Sequence, residues 1–369
     1  MRLTHFTASN GLFGAERAII ELADAQQKAG QDVSVVSLDV GSGSLVFERE
    51  LDKRGIEYIS IPCRKRINIH QFLSINKVLN DIDPDVVHCH NYKSNFYVAL
   101  CLMKNKKIKK IATLHGYLLP KLFTLLRFYY FIDRKILRSF DKIVLVSDKI
   151  KKRLPRRIAM SENISVIYNG ISTDFLESNE CNNEYSCLLK DDGVKFICVG
   201  RLSSEKNYME AIYLFSLIEK KLSKSTLCIV GEGPEEYKLK KLVNELNLDT
   251  KVFFTGYVND ASTLIGESDC LLITSLSEGL PMTLLEAMRH FTLVAYRDVG
   301  EIDNVLLNGE LGFRIDKKLA FCAEDLLAIL MDPTKLTIMK KRANKRLEEE
   351  FSSKAMEQSY RKLYESMWS

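Results

Sequence analysis

The sequence predicts two α/β domains in tandem, each a doubly wound parallel sheet with helices on both faces. Three observations carry that expectation. The chain has 369 residues, enough for two domains at roughly 150 residues each. Short, continuously apolar segments alternate with helical patterns in both halves, and strands apolar on both faces belong to parallel sheets buried between helix layers. A polar stretch without periodicity, 178–192, separates the halves. The expected layout is a first domain over 1–178, a linker over 179–192, a second domain over 193–345, and a charged helical segment over 346–369 that packs back on the first domain.

In the first half the expected strands are 32–38, 58–61, 86–90, 111–114 and 142–146. Between them lie patterns such as Ala18, Ile19, Leu22 and Ala25, which share a helix face, with Gly30 as the stop. In the second half the strands are 194–199, 226–230, 252–254 and 270–274. The end of the chain, 339–368, is helix-prone, and Phe351, Tyr360, Leu363 and Tyr364 are its anchors onto a domain. Ligands of such sheets bind beyond the carboxyl ends of the strands.

Composition excludes several classes. Hydrophobic residues make up 46% and charged residues 27%, which fits a folded chain and excludes disorder as the main state. No apolar run approaches the roughly 18 residues that span a bilayer, and the start, Met1 to Thr7, lacks the features of a secretory leader. Nine cysteines occur without a C-x-x-C pair, several of them inside apolar runs, as Cys198 and Cys228 are. Buried free thiols in a reducing cytosol account for them better than disulfides or zinc. The net charge of +5 is uneven: residues 1–180 hold 28 Lys and Arg against 19 Asp and Glu. A basic first half anticipates an anionic partner: nucleic acid, an acidic membrane surface or a phosphorylated ligand.

The strongest chemical signal follows the apolar strand 270–274: Ser277-Glu278-Gly279-Leu280-Pro281-Met282-Thr283-Leu284-Leu285-Glu286. Gly279 admits a close ligand, and Pro281 suits the first turn of a helix. The free amides of that turn, those of Met282 and Thr283, favour an anion such as phosphate. Glu278 and Glu286 flank the turn, and a carboxylate accepts hydrogen bonds from hydroxyls, so one suits a sugar and the other a ribose. Two isolated glutamates would merely be solvated; the Gly-Leu-Pro between them after a buried strand points to a ligand loop. A second signal, Gly200-Arg201-Leu202-Ser203-Ser204-Glu205-Lys206, also lies between a strand and a helix. Arg201 as a fork and Lys206 as a point charge can both reach one diphosphate. Gly231-Glu232-Gly233-Pro234 reads as a tight turn at the rim of the same edge.

These residues resemble glycosyltransferase family 4. Glu278 and Glu286 match its E-x7-E element, and Gly200, Arg201 and Lys206 match its G-R-x4-K element. Phe13-Gly14-Ala15-Glu16-Arg17 resembles its first glycine-rich loop, Thr113-Leu114-His115-Gly116 its T-x-H-G element, and Val166-Ile167-Tyr168-Asn169-Gly170-Ile171 the close of its N-terminal domain. Phe13, Ser172 and the run Val299-Gly300-Glu301-Ile302-Asp303-Asn304 depart from the usual pattern. The resemblance implies a GT-B fold, two Rossmann-like doubly wound domains facing a cleft. It implies a retaining, metal-independent transferase of the hexosyl or N-acetylhexosaminyl kind, without a resident cofactor. The donor would be a nucleotide-sugar, a UDP-sugar above all. The acceptor would be a lipid-linked saccharide of bacterial surface polysaccharide, either lipopolysaccharide O-antigen or capsule.

The implied donor-binding set is Gly14, Gly200, Arg201, Lys206, Glu278, Gly279, Leu280, Met282, Thr283 and Glu286. His115, Arg201, Lys206 and Glu278 are the expected catalytic residues. Within it, His115 orients the donor sugar, Glu278 holds sugar hydroxyls and Glu286 holds the ribose. The expected location is cytoplasmic, peripheral on the inner face of the cytoplasmic membrane. A soluble acceptor and an inactive sugar-nucleotide-binding subunit are the alternatives, and no nucleic-acid motif supports a nucleic-acid partner.

Three features call for separate reading. Asp81-Ile82-Asp83-Pro84-Asp85 contains D-x-D, but it precedes the strand 86–90 and is read as a turn rather than a metal site. His88 and His90 share a strand face, without a third metal ligand at suitable spacing. The segment 120–140, between lysine-rich runs, combines Leu122, Leu125, Tyr129, Ile132 and Ile136 at helical spacing with Phe123, Phe128, Phe131, Lys135 and Arg138. It is either a membrane-interface helix or a domain helix with a basic face.

Overall fold

The computed structural model describes residues 1–41, 43–63, 69–116, 125–154, 156–174 and 193–368. The expected linker, 179–192, lies outside the described residues, as does 120–124 of the basic aromatic segment. The chain forms two units: Met1–Ser172 together with Ser352–Ser369, and Thr173–Phe351.

The first unit runs β1 (Arg2–Ser9), α1 (Gly14–Lys28), β2 (Asp32–Asp39), α2 (Ser44–Lys53), β3 (Glu57–Pro62), α3 (Ile69–Ile82), β4 (Val86–Cys89), α4 (Tyr92–Cys101), β5 (Lys109–Leu114), α5 (Leu125–Ile136), β6 (Lys142–Leu145), α6 (Asp148–Arg153), α7 (Arg156–Ala159) and β7 (Ile164–Val166). The second runs β8 (Lys195–Val199), α8 (Tyr208–Glu219), β9 (Thr226–Val230), α9 (Glu236–Glu245), β10 (Val252–Gly256), α10 (Ala261–Gly266), β11 (Cys270–Ile273), α11 (Met282–Arg289), β12 (Leu293–Tyr296), α12 (Ile302–Val305), β13 (Phe313–Arg314), α13 (Leu319–Leu330) and α14 (Pro333–Glu350). The last helix, α15 (Ser353–Glu365), returns to the first unit.

Both sheets are parallel throughout. The first has the order β3-β2-β1-β4-β5-β6-β7 and the second β10-β9-β8-β11-β12-β13. Each order reverses once, between β1 and β4 and between β8 and β11. At such a switch point the loops leaving two neighbouring strands diverge to opposite faces and open a crevice at the carboxyl edge. The central strands are buried on both sides, as β2 is from Val33 to Asp39. Gly30, at φ 79°, ends α1.

Four strands were not expected from the sequence: β1, β7, β12 and β13. In β1 the apolar residues Leu3 and Phe6 are interrupted by Thr4, His5, Thr7 and Ser9, all of them buried. Polar residues that read as solvent-facing are here spent inside the sheet. β7 and β13 are only three and two residues long.

The segment expected from 346 onward divides in two. Asp332 caps α14, its Oδ1 accepting from Lys335 N at 3.0 Å, and the helix runs unbroken through the expected boundary to Glu350. The chain then re-enters the first unit, where Ser353 N donates to Ile171 O at 2.8 Å. Met356, Tyr360, Leu363 and Tyr364 of α15 are buried in one cluster with Leu3, Ile19, Ile20 and Val35. Among the described residues no helix is long and apolar enough to cross a membrane.

Candidate functional site

At the switch point of the second unit, the loops after β8 and β11 are stitched together. Leu276 N donates to Glu205 O at 2.7 Å, and Thr274 Oγ1 lies 3.1 Å from Asn207 O. Asn207, in the left-handed conformation at φ 52°, turns the first loop into α8. This stitching brings Lys206 and Glu278 together: Nζ lies 2.6 Å from Oε1, and Ser275 Oγ donates to the same oxygen at 2.8 Å. The pair is half-sheltered, with side chains 23% and 13% exposed, so it is held without being sealed from a ligand.

Gly200, at φ 142°, donates its N–H to Val230 O at 2.9 Å. A Cβ on Gly231, at φ 136°, would stand 2.0 Å from Gly200 O, so these two turns meet at a distance only glycine permits. Arg201 is exposed, and its guanidinium has no partner among the described residues. Tyr208 opens α8 behind this loop, its buried hydroxyl likewise unpartnered among the described residues; burial raises its pKa.

Pro281 stands one residue earlier than expected. It is the N-cap residue of α11 rather than part of the first turn, its extended backbone (ψ 132°) leading into Met282. Its carbonyl accepts from Leu284 N at 3.2 Å, while the amides of Met282 and Thr283 have no acceptor among the described residues. Glu286 is buried on the same helix, and Gly279 and Leu280 are buried before it. Gly279 O accepts from Glu301 N at 2.9 Å, and a Cβ on Gly300 would meet it at 2.0 Å. The departing run 299–304 therefore braces this loop through backbone contacts.

In the first unit Gly14 is the first helical residue of α1. Phe13 is the N-cap, and Glu16 reaches back to Phe13 N at 3.2 Å. Burial raises the Glu16 carboxyl to about 7. The other site residue of this unit, His115, follows β5 and joins a cluster that the sequence did not reveal. Register sets His5 of β1 beside His88 of β4. His5 Nδ1 is 2.9 Å from His90 Nε2, and His90 Nδ1 is 3.0 Å from His115 Nε2. Burial keeps these rings neutral, lowering the pKa values of His5 and His115 to about 4 and those of His88 and His90 well below the usual value.

The third histidine missing from the sequence reading is thus His5, which places three ring nitrogens within 4.8 Å of one another. All six ring nitrogens of His5, His88 and His90 have hydrogen-bond partners. As folded, these nitrogens form a hydrogen-bond network. The Asp81–Asp85 run sits at the opposite, amino edge of the sheet, where Asp85 Oδ2 accepts from Arg2 N at 2.8 Å.

The described part of the 120–140 segment is α5 and the turn after it. Its Asp133 is buried and accepts from Asn95 Nδ2 of α4 at 2.9 Å; burial raises Asp133 to about 6. Phe131 and Lys135 are exposed, with Lys135 Nζ 4.8 Å above the Phe131 ring. One face of α5 is docked and another is open.

Comparison with known proteins gives consistent matches. Residues 14–175 match the family model Glycosyltransferase Family 4, and residues 185–346 match Glycosyl transferases group 1. The O-antigen biosynthesis glycosyltransferase WclY of Escherichia coli is 26% identical over 219 residues, 56% of this chain and 58% of that protein. The chain therefore spans little more than half the length of that relative. A Campylobacter jejuni α-1,4-N-acetyl-D-galactosaminyltransferase, named for a diphospho-undecaprenol-linked saccharide, is 26% identical over 318 residues, 84% of this chain and 80% of that one. Among solved structures, Anabaena HepE with UDP and glucose superposes with a TM-score of 0.83 at 17% identity, covering 99% of this chain and 100% of that one.

Proposed function

We propose, since the chain belongs to glycosyltransferase family 4 and is a glycosyltransferase of GT-B fold, that it moves a hexosyl or N-acetylhexosaminyl group from a UDP-sugar to a lipid-linked saccharide. The observation that carries this reading is the switch-point pair of loops after β8 and β11, where, among the described residues, Arg201 is unpartnered and Lys206 is held only by Glu278.

The second unit binds the donor. Its diphosphate draws Lys206 from Glu278 and adds the fork of Arg201, so two fixed cations meet the charge that grows on the leaving group. The open amides of Met282 and Thr283 add the positive end of α11. Glu286 accepts from the ribose hydroxyls. Glu278, freed from Lys206, accepts from hydroxyls of the sugar, and His115 orients that sugar. In the second unit, Gly200, Gly279 and Leu280 shape the walls. Two cations on the diphosphate do the work a divalent ion would otherwise do. The acceptor attacks on the face the leaving group vacates, with a donor phosphate oxygen taking its proton, so the configuration at the sugar is retained.

The lipid-linked acceptor is supported by the name of the Campylobacter relative, and the name of the Escherichia coli relative supports a role in surface polysaccharide such as O-antigen. The basic first half and the open face of α5 fit peripheral attachment to the inner face of the cytoplasmic membrane. The test is transfer from a panel of sugar nucleotides to a polyprenyl-diphosphate saccharide, with the product anomer read by NMR. Transfer with retention that persists in EDTA is expected. Transfer that collapses in EDTA and returns with Mg²⁺ or Mn²⁺, or an inverted product, overturns the mechanism. Absence of transfer from every sugar nucleotide overturns the reading itself.

A further inference from the structure

Eight side chains of the first unit form one unbranched hydrogen-bond chain. It begins at Tyr360 Oη, 3.0 Å from Thr113 Oγ1, which is 2.7 Å from His88 Nε2. His88 Nδ1 is 3.0 Å from Tyr364 Oη, which accepts from Gln26 Nε2 at 3.1 Å. Gln26 Oε1 is 2.7 Å from His5 Nε2, and the contacts of His5 with His90 and of His90 with His115 complete the chain. Seven members are buried. At the far end, His115 Nδ1 is shut off from solvent and has no partner among the described residues.

A neutral imidazole carries one N–H and one bare nitrogen, so a chain of imidazoles has a direction. Within this chain only Gln26 has fixed roles at both ends: its Oε1 accepts and its Nε2 donates. With Oε1 toward His5, His5 must donate from Nε2, which leaves its Nδ1 bare. His90 then donates to that atom from Nε2, and His115 in turn donates to His90 Nδ1 from Nε2. On the other side Gln26 Nε2 donates to Tyr364, whose proton goes to His88 Nδ1, and His88 Nε2–H goes to Thr113. Every link agrees with a single choice made at Gln26.

We propose that Gln26, acting through His5 and His90, fixes His115 as the Nε2–H tautomer, so that its bare Nδ1 accepts a hydroxyl proton from the bound ligand. On the reading above, that ligand is the transferred sugar. Gln26, His5 and His90 are positioning residues, and His115 is the group that touches the ligand. The specificity that follows is for a donor hydroxyl: a deoxy or deoxyfluoro sugar at that position has no proton to give. Turning the Gln26 amide over would reverse every link and make His115 Nδ1 a donor instead.

Histidine ¹⁵N NMR on the full chain tests this without substrate, with the His115 signal assigned through His115→Gln. The expected result is Nε2–H and bare Nδ1 at His5, His90 and His115 alike. Gln26→Met removes the director and should leave His115 a mixture of tautomers. Gln26→Glu keeps an acceptor facing His5 and should restore Nε2–H. Nδ1–H at His115 in the unaltered protein, or an unchanged tautomer in Gln26→Met, overturns the inference even where glycosyl transfer is intact. The kinetic counterpart is a loss of about tenfold in kcat/KM for Gln26→Met with UDP-glucose. That loss should disappear with the deoxyfluoro analogue lacking the contacted hydroxyl; a loss that persists across the whole analogue series counts against the proposal. Failure of transfer alone would strike the functional reading and leave the tautomer result standing.

Discussion

The two switch points of this molecule arise from the same topology and are filled with opposite chemistry. In the second unit the side chains come from loops beyond the strand ends and are charged: Arg201 is exposed, and Lys206 and Glu278 are half-sheltered. In the first unit they come from the strands themselves or the residue just after and are neutral; His5, His88 and His90 are buried and His115 is half-buried at the strand end. The difference follows from where each side chain is anchored. A loop residue can exchange an ion-pair partner for a ligand at little cost, because water and backbone motion are at hand. A strand residue inside a covered sheet must satisfy its polar atoms permanently, since each unmade bond there costs about 1–3 kcal/mol. On the proposed function, the loops of the second unit exchange partners while the buried histidines of the first hold still.

The largest expected effect tests the exchanging site. Arg201→Ala and Lys206→Ala should each lower turnover by about 10²–10³ with the fold intact by circular dichroism, the usual loss when one preorganised charge stabiliser is removed. Near-normal turnover in both would remove these cations from the leaving-group site and dissolve the contrast.

Acid should separate the units next. A histidine held neutral at about 4 when folded, against 6.5 when free, binds its proton more readily unfolded. Stability from such groups is fully present above about 6.5 and is lost as pH falls toward 4. The first unit has four histidines lowered by burial, His5 and His115 to about 4 and His88 and His90 well below the usual value, while the second has His290, lowered to about 4. Glu16 and Asp133, raised to about 7 and about 6, act in the opposite sense but are outnumbered. Calorimetry at pH 7.5 and pH 5 should show the first unit's transition falling further than the second's; equal falls would mean that the histidine network is not held neutral.

The smallest effect concerns α5. Lys135→Glu with Arg138→Glu should weaken sedimentation with anionic vesicles by about 1 kcal/mol per residue, sparing nucleotide binding in the second unit. No binding to anionic vesicles at low salt even before substitution would make α5 only a domain helix, docked through Asp133.

Strands that are apolar on both faces were legible from the sequence; 226–230 is β9 to the residue. So were the loops of the second unit, because their chemistry lies within a few residues of one strand end. The histidine network was half visible. His88, His90 and His115 stood out, but Gln26 lies outside the apolar pattern of Ala18, Ile19, Leu22 and Ala25, and it is fully buried. His5 was hidden in a strand whose polar residues masked it. Tyr360 and Tyr364 were recognised as apolar anchors, yet their hydroxyls carry the network's other end. Partners that meet only through strand register and a returning helix leave no local signature.

That returning helix sets an order of events during synthesis. A ribosome releases residues 1–172 and then the whole second unit before α15 emerges. Nascent domains generally fold as units as they appear, but the first unit cannot do so completely. Until Met356, Tyr360, Leu363 and Tyr364 arrive, the apolar face formed by Leu3, Ile19, Ile20 and Val35 lacks its cover, and His88 and Gln26 lack their phenol partner. The second unit is free to finish first. The half of the protein that is made earliest is completed last, and in the meantime its open sheet face is the surface a chaperone would have to shield.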